Sequence, residues 1–459
     1  MTQSPSIAVV VLDTLRKDAF DEAFDWLPGL RFENAWSTSH WTVPVHASLF
    51  AGKYASDLGV HVGNQYLDCP EPVLAEQLAD AGYTTRAFSC NPNISKPFAF
   101  DRGFDEFHGS WRLRGLEENV FDWQSFIAET RGDGIRRYLE ALWQCIHEDC
   151  ATWPSIKRGF RLKLYSLTPS ATAHVDDGAC EALDYIRRAE FDRPEFLFVN
   201  LMEAHGPYTP PEEYITTGSR EEVVERTTYN GLVATVADRP PNDAEYLRRT
   251  YDDAVRYLSD IYRDMFQELR ASFDYVITLS DHGELFGEHD AWQHAYGVYP
   301  ELTHVPLVIS GDGIPDESFP ETVSLIDVHS TVRSLTGLDA NSCGTSLVEV
   351  DDSEKLTVTP PDSSYFTEYH GVNPLNRAAV VEAGFDPSPF DEQLYGVKSP
   401  TTPYAYETLD GVQSSADGDP ATAADTIKRH RSQATIRVVE DAGEVSDVVR
   451  RRLEELGYA

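Results

Sequence analysis

Three apolar runs in this chain each end abruptly at residues able to do chemistry, and that pattern constrains the fold more than any other feature of the sequence. Residues 7–12 (Ile-Ala-Val-Val-Val-Leu) run into Asp13. Residues 196–201 (Phe-Leu-Phe-Val-Asn-Leu) run into Met202, Glu203, Ala204 and His205. Residues 273–279 run into Ser280, Asp281, His282, Gly283 and Glu284. Short, continuous, β-branched and aromatic stretches of this kind read as strands buried inside a parallel sheet. In open α/β sheets, sites form just beyond the carboxyl ends of such strands. Asp281 and His282 offer a hard oxygen beside an imidazole nitrogen, and Gly283 lets the backbone turn sharply behind them. A carboxylate at the tip of the first strand, Asp13, is either a helix cap or a metal ligand.

Helical periodicity supplies the other layer. The apolar positions between Ala244 and Leu269 fit one face of a long helix packed on the sheet, leading directly into the strand before Asp281. A shorter helix is expected around Pro44, which suits a first turn, with Gly52 as its terminator. Thr42 then sits at or near the N-cap, where free backbone N–H groups and the helix dipole favour an anion; a plain capping threonine has the same appearance.

The 459 residues can bury a large core, and one large unit of about 1–350 followed by a smaller one of about 351–459 is the expected division. An acidic stretch near 349–355 marks the boundary. Beyond it the runs are short and turn-rich, which predicts a small antiparallel sheet, an exposed loop over 413–424 and a closing helix over 445–456. Segment 109–175 is expected to form a helical insert, either a lid facing substrate or a packing element.

Acidic residues outnumber basic ones 76 to 38, for a net charge of −38. Spread along the chain, this fits a solvated acidic surface suited to concentrated salt, and it argues against nucleic acid as a partner. No apolar run is long enough to span a membrane and the N-terminus lacks a signal-like pattern, so a cytoplasmic location is expected. The six cysteines lack metal-ligand spacing and read as buried free thiols.

The segment Trp36–Gly52 resembles the nucleophile motif of the sulfatase-like branch of the alkaline phosphatase superfamily, Cys/Ser-x-Pro-Ser-Arg-x-Ser-Leu-x-Thr-Gly. Thr42 falls on the nucleophile; Pro44, Ser48, Leu49 and Gly52 match; Val45 and His46 replace the Ser-Arg pair. The resemblance extends to Asp13, to 200–208 and to Asp281-His282. It implies an alkaline-phosphatase-like α/β fold, a central and mostly parallel sheet flanked by helices, with a small C-terminal subdomain. It also implies one divalent cation held by Asp13, Thr42, Asp281 and His282, with His205 and His294 holding the oxygens of the transferred group. His294 stands where relatives usually carry Lys, and His304 near a frequent Arg. Asn64, Asn91 and His304 are further candidates for binding substrate oxygens, and His289 is expected to be structural.

The histidine makes Mn²⁺ or Zn²⁺ fit better than Ca²⁺, with Mg²⁺ also compatible. Sulfatases of this branch oxidise a cysteine or serine to formylglycine, whereas the β-carbon of threonine carries a methyl and cannot give that aldehyde. A threonine nucleophile is a feature of phosphodiesterase and phosphonate-hydrolase-like relatives. The expectation is therefore an ester hydrolase acting on a small anionic substrate, such as an ester of a glycan or a lipid headgroup, with phosphodiester or phosphonate esters preferred. Sulfate-ester hydrolysis without formylglycine and an anion-binding pseudoenzyme stand as alternatives.

Overall fold

The computed structural model describes residues 4–113, most of 176–437 and parts of the remainder; most of 114–175 and of 438–459 lies outside the described residues, as do 1–3, 193, 240–241, 340–341, 351–355, 360, 417–419 and 435. In chain order the strands are β1 (Ile7–Leu12), β2 (Leu30–Trp36), β3 (Thr84–Ser89), β4 (Glu106–Gly109), β5 (Glu195–Leu201), β6 (Tyr275–Leu279), β7 (Leu285–Phe286), β8 (Trp292–Gln293) and β9 (Leu307–Gly311). There follow β10 (Glu317–Ser324), β11 (Val348–Val350), β12 (Leu356–Val358), β13 (Tyr365–Tyr369), β14 (Leu394–Lys398), β15 (Ala405–Thr408) and β16 (Gly411–Ser414).

Eight of these form one sheet in the order β10-β2-β9-β6-β1-β5-β3-β4. β1 lies between β5 and β6 and is parallel to both, and every residue of β1 and β5 is buried. Only β9 runs antiparallel to its neighbours, β6 and β2. Alternation along β1 feeds two cores. Ile7, Val9 and Val11 face a layer that includes helices Thr42–Ala51 and Ile326–Leu335, while Ala8, Val10 and Leu12 face helices Ala179–Arg188 and Ala244–Ser272. Apolar residues on both faces are what a sheet with helices on both sides requires. The outer strand β10 carries Pro320 where its register on β2 shifts, an edge position at which a missing N–H removes no internal ladder bond.

The helix expected over 244–269 spans Ala244–Ser272, with the Asp243 side chain accepting from Glu245 N–H at its start. The helix after Thr42 spans Thr42–Ala51 and ends at Gly52, which adopts a left-handed φ of 65°. A Cβ at Gly52 would lie 2.5 Å from the His329 ring, so the turn requires glycine twice over.

The C-terminal antiparallel sheet is present as β13-β14-β15-β16. It packs into the rest of the molecule, since Tyr369, Leu394, Tyr404 and Tyr406 share a core with Trp36, Leu232 and Tyr296. One expectation there is corrected. Residues 413–424 are not one long loop: β16 runs to Ser414, and Pro420 opens a helix, Pro420–Gln433. Proline at the first helical position preorganises φ and lacks the N–H that would go unbonded, a signal that composition alone obscured. Within 109–175 the helix Arg136–His147 is described and most of the rest is not. The expected closing helix over 445–456 falls outside the described residues, except that Val449 and Leu453 are helical and buried. Cys69, Cys90 and Cys145 are buried free thiols as expected, but Cys180 and Cys343 are exposed. No described helix is long and apolar enough to cross a membrane.

Candidate active site

The sheet brings Asp13, Asn91, His205 and Asp281 to one edge, because β1, β3, β5 and β6 run in the same direction and each ends just before one of these residues. Asp13, Asp281 and His282 are fully buried, and one ligand atom from each lies within 4.8 Å of the others. Thr42 is the first residue of its helix, following Trp41 in extended conformation. Its Oγ1 lies 3.2 Å from His282 Nε2. The His282 Nδ1–H donates to Gly283 O at 2.9 Å, which leaves the Nε2 lone pair facing Thr42, Asp13 and Asp281.

Burial raises Asp281 well above the usual carboxylate range and the nearby Asp13 carboxylate raises it further. Burial works against ionisation of Asp13 too, but there His205, His282, His46 and a bond from Asn91 win and its value is lowered. Two carboxylates packed together away from water repel each other, and a cation between them would relieve both terms. Asp281 Oδ2 is buried with no hydrogen-bond donor among the described residues. An acceptor left without a partner at this depth, beside a second carboxylate and an unprotonated imidazole nitrogen, fits a divalent cation. Thr14 adopts a left-handed φ of 64°, and its hydroxyl donates to Asp13 Oδ1 while its N–H donates to Asp281 Oδ1. That strained turn orients both carboxylates.

Other members of the site escaped the sequence reading. Asn200 lies in β5 opposite Val11, and its amide donates to Asp13 Oδ2 and to His46 Nε2, both at 3.2 Å. The His46 Nδ1–H in turn donates to Thr42 O at 2.8 Å. The residue that replaces the arginine of the resembling motif therefore ties the first turn of the Thr42 helix to a candidate metal ligand. Burial holds His46 down to about 4, so it serves as a neutral bridge. The spacing of four from Thr42 to His46 was the available signal.

His205 and His294 face each other with ring centroids 5.1 Å apart, and His294 lies 4.5 Å from the His282 ring. Their environments differ. Burial, then the charge of His294, lowers His205 to about 4. Burial also opposes protonation of His294, but Glu284, whose Oε1 accepts from its Nδ1 at 2.9 Å, outweighs it and the value is raised. Glu284 is itself fixed by the Tyr208 hydroxyl at 3.0 Å.

Asn91 belongs to the site through Asp13 Oδ2, to which it donates at 2.8 Å, and it lies 3.5 Å from Thr42 Oγ1. Two candidates are elsewhere. Asn64 donates to Gly59 O and accepts from Tyr66 N–H, so its amide holds a turn while its neighbour Gln65 lines the cleft. His304 donates to Glu33 O and stacks on Trp36 at 4.8 Å, which fixes it against β2 and outside the cleft. His289 pairs with Glu301 and stacks on Tyr299. Above the Asp-His cluster a cleft of about 190 Å³ opens between Trp41, Pro207, Tyr229 and Leu375.

A family model described as Sulfatase matches residues 22–338. The chain belongs to this family. It is 24% identical over 339 residues to the uncharacterized sulfatase YidJ of Escherichia coli, covering 68% of this chain and 61% of YidJ. It is 22% identical over 368 residues to an ulvan-active sulfatase of Formosa agariphila, covering 78% and 62% of the two chains. The chain thus spans about three-fifths of the length of these curated relatives. A phosphonate monoester hydrolase from Silicibacter pomeroyi shares the fold, with a TM-score of 0.62 and 18% identity over 96% of this chain and 99% of that one.

Proposed function

We propose that this sulfatase-family protein hydrolyses phosphate or sulfate esters through Thr42, with phosphodiesters or phosphonate monoesters preferred. The observation that carries the reading is the position of Thr42 Oγ1, at a helix N-terminus and 3.2 Å from His282 Nε2 beside the Asp13–Asp281 pair. Asp13, Asp281, His282 and Thr42 would hold the cation, and the mixed nitrogen and oxygen set favours Mn²⁺ or Zn²⁺. When bound, the cation supplies positive charge that acidifies the threonine hydroxyl and offsets charge on the transferred group.

The chain's own residues account for the remaining steps. Thr42 gives up its hydroxyl proton to solvent, and Oγ1 attacks phosphorus or sulfur in line. The bond to the alcohol breaks, and the departing oxygen takes a proton from His294, which Glu284 orients. Asn91 donates to the oxygens on which charge accumulates, and His205, whose Nδ1–H is held by Gly206 O, joins it when the bound anion draws a proton onto its Nε2. Water then cleaves the Thr42 ester. Phosphodiesters, phosphonate monoesters and sulfate esters each present a transferred group of one negative charge, which one cation together with the histidine nitrogens of the cleft, His205 and His294, can offset. The names of the relatives, which include a phosphonate monoester hydrolase and an ulvan-active sulfatase, agree with that range.

The test is an acid-quenched reaction with paired aryl phosphodiester and aryl sulfate, followed by peptide mass spectrometry. A phosphoryl adduct on the Thr42 peptide is expected, and Thr42→Ala should lose turnover while Thr42→Ser keeps part of it. Wild-type turnover in Thr42→Ala would reject the covalent route, and turnover of the sulfate alone would reverse the substrate preference.

A further inference from the structure

The turn that follows β1 sends its backbone hydrogen bonds to side chains of other elements. Residues 14–16 present three successive N–H groups, and each meets a different side chain. Thr14 N–H donates to Asp281 Oδ1 at 3.1 Å, Leu15 N–H to Ser280 Oγ at 2.9 Å and Arg16 N–H to the Tyr251 hydroxyl at 2.8 Å. The Tyr251 hydroxyl in turn donates to Thr14 O at 3.1 Å. A phenol can accept and donate at once, so this one clasps the turn at both ends.

The clasp matters because of the conformation it closes. Thr14 is β-branched and sits at φ 64°, a region that such residues avoid and keep only where the surroundings over-determine it. In that conformation its hydroxyl donates to Asp13 Oδ1 at 2.9 Å while its N–H serves Asp281 Oδ1. Relaxation to a negative φ would swing both donors away. The two carboxylates would then lose the bonds that aim them at the space between them.

Tyr251 reaches the turn from the layer of helix Ala244–Ser272. It is fully buried, with its ring edge-on to Tyr208 at 5.4 Å and beside Phe286 at 5.1 Å. Close packing on these sides fixes the ring and therefore the direction of its hydroxyl. Tyr262, equally buried on the same helix, is the natural comparison. Its hydroxyl pairs with Thr278 Oγ1 at 2.5 Å inside β6, a partner outside both the turn and the candidate ligands.

We infer that Tyr251 is a positioning residue for the cation. By bridging Thr14 O and Arg16 N–H it holds the turn in the left-handed form that aims Asp13 and Asp281 at one point, and the long helix thereby sets metal affinity through a single phenol. This rests on the cation site of the ester-hydrolase reading and on no property of the substrate.

Tyr251→Phe and Tyr262→Phe each keep the ring and delete one hydroxyl, so both should melt at lower temperature. Calorimetric titration of Mn²⁺, and separately of Zn²⁺, into the metal-free full chain separates them. Affinity should fall about tenfold in Tyr251→Phe and stay at the wild-type value in Tyr262→Phe. Wild-type affinity in Tyr251→Phe, or equal weakening in both variants, would overturn the inference. A double-variant cycle adds a readout that general loosening of the core would not move. Asparagine tolerates the left-handed region and its amide can replace the threonine hydroxyl as donor. Tyr251→Phe should therefore cost less affinity in a Thr14→Asn background than in the wild type, and an equal cost would overturn the inference. Hydrogen exchange of the peptide covering 13–17, followed by mass spectrometry without metal, should quicken in Tyr251→Phe and not in Tyr262→Phe. Wild-type protein that binds neither ion would sink the cation reading. Exchange would then decide on Tyr251 by itself, since quickening confined to Tyr251→Phe upholds the clasp and unchanged exchange overturns it.

Discussion

Asp281 carries a burden that no neighbouring side chain relieves. Its Oδ1 accepts from the N–H groups of Thr14 and His282, but Oδ2 accepts from none among the described residues. Asp281→Asn should therefore remove charge where a cation needs it, leaving an amide that is a poor ligand. The expected outcome is loss of most bound metal by elemental analysis together with activity, whereas His289→Ala, altering a residue engaged by Glu301 and Tyr299, should keep the metal. Full metal occupancy in Asp281→Asn would count against the assigned ligand set, and two tightly bound metals per chain would extend it towards His205 and His294. Asp13, Asp281 and His282 were legible in the sequence because they mark a break from an apolar run to reactive side chains, and Thr42 because Pro44 and Gly52 bound the short helix that it opens. Asn200 and His46 were not, since inside a strand and a helix they look like ordinary members. Asn200 reaches Asp13 only through the register that sets it opposite Val11. Asn64 and His304 are placed outside the cleft by other partners: Asn64 bonds to nearby backbone in its own turn, whereas His304 bonds to Glu33 O on β2, a contact that no local window contains.

At the scale of elements, the route into the Thr42 helix depends on the C-terminal sheet. β13 reaches back to 37–39: Thr367 Oγ1 donates to Ser37 O, Glu368 N–H to Thr38 O, and Ser39 Oγ to Glu368 O. The Glu368 side chain is buried and accepts four bonds, from Ser56 N–H and Oγ and from the His370 and His430 Nε2 groups. Burial opposes its ionisation, but these donors win and hold it down to about 2. A carboxyl depressed in the folded state contributes stability in full above its unfolded value of about 4.5 and loses it as pH falls towards 2. A shift of that size corresponds to about 3 kcal/mol. Thermal melts should drop steeply between pH 5 and pH 2, and Glu368→Gln should be less stable at neutral pH with a shallower acid limb. An unchanged acid limb in Glu368→Gln would show that Glu368 is not what acid releases. The central strands β1, β5 and β6 were legible as continuous apolar runs, because burial on both faces leaves no alternation, and the long helix was legible from its period. The C-terminal elements are short and half-exposed, so their boundaries were set by features such as Pro420 and by packing on Trp36 and Tyr296 that no local window contains.

For the whole molecule the dominant quantity is charge. With 76 acidic and 38 basic residues, at most half of the carboxylates can pair one to one, and the excess repels itself through solvent. Salt acts on both terms with opposite signs. It weakens exposed ion pairs, each contributing about 0–1 kcal/mol, and it relieves the repulsion. Screening reaches about 30 Å at 0.01 M but only about 3 Å at 1 M, so unpaired charges lose far more repulsion than contact pairs lose attraction. We therefore expect the melting temperature to rise from dilute buffer to molar KCl, and a flat or falling curve would contradict adaptation to concentrated salt. The same field acts on the substrate. An anionic ester approaching this surface is repelled at low salt, so kcat/KM should increase with KCl while kcat, measured at saturation, changes little. An aryl phosphodiester whose second alcohol is uncharged carries one negative charge and one whose second alcohol bears a carboxylate carries two, which predicts a steeper salt dependence for the second. If the two slopes coincide, or if kcat/KM falls with salt, the acidic surface does not govern access to Thr42, and solubility alone would account for the charge.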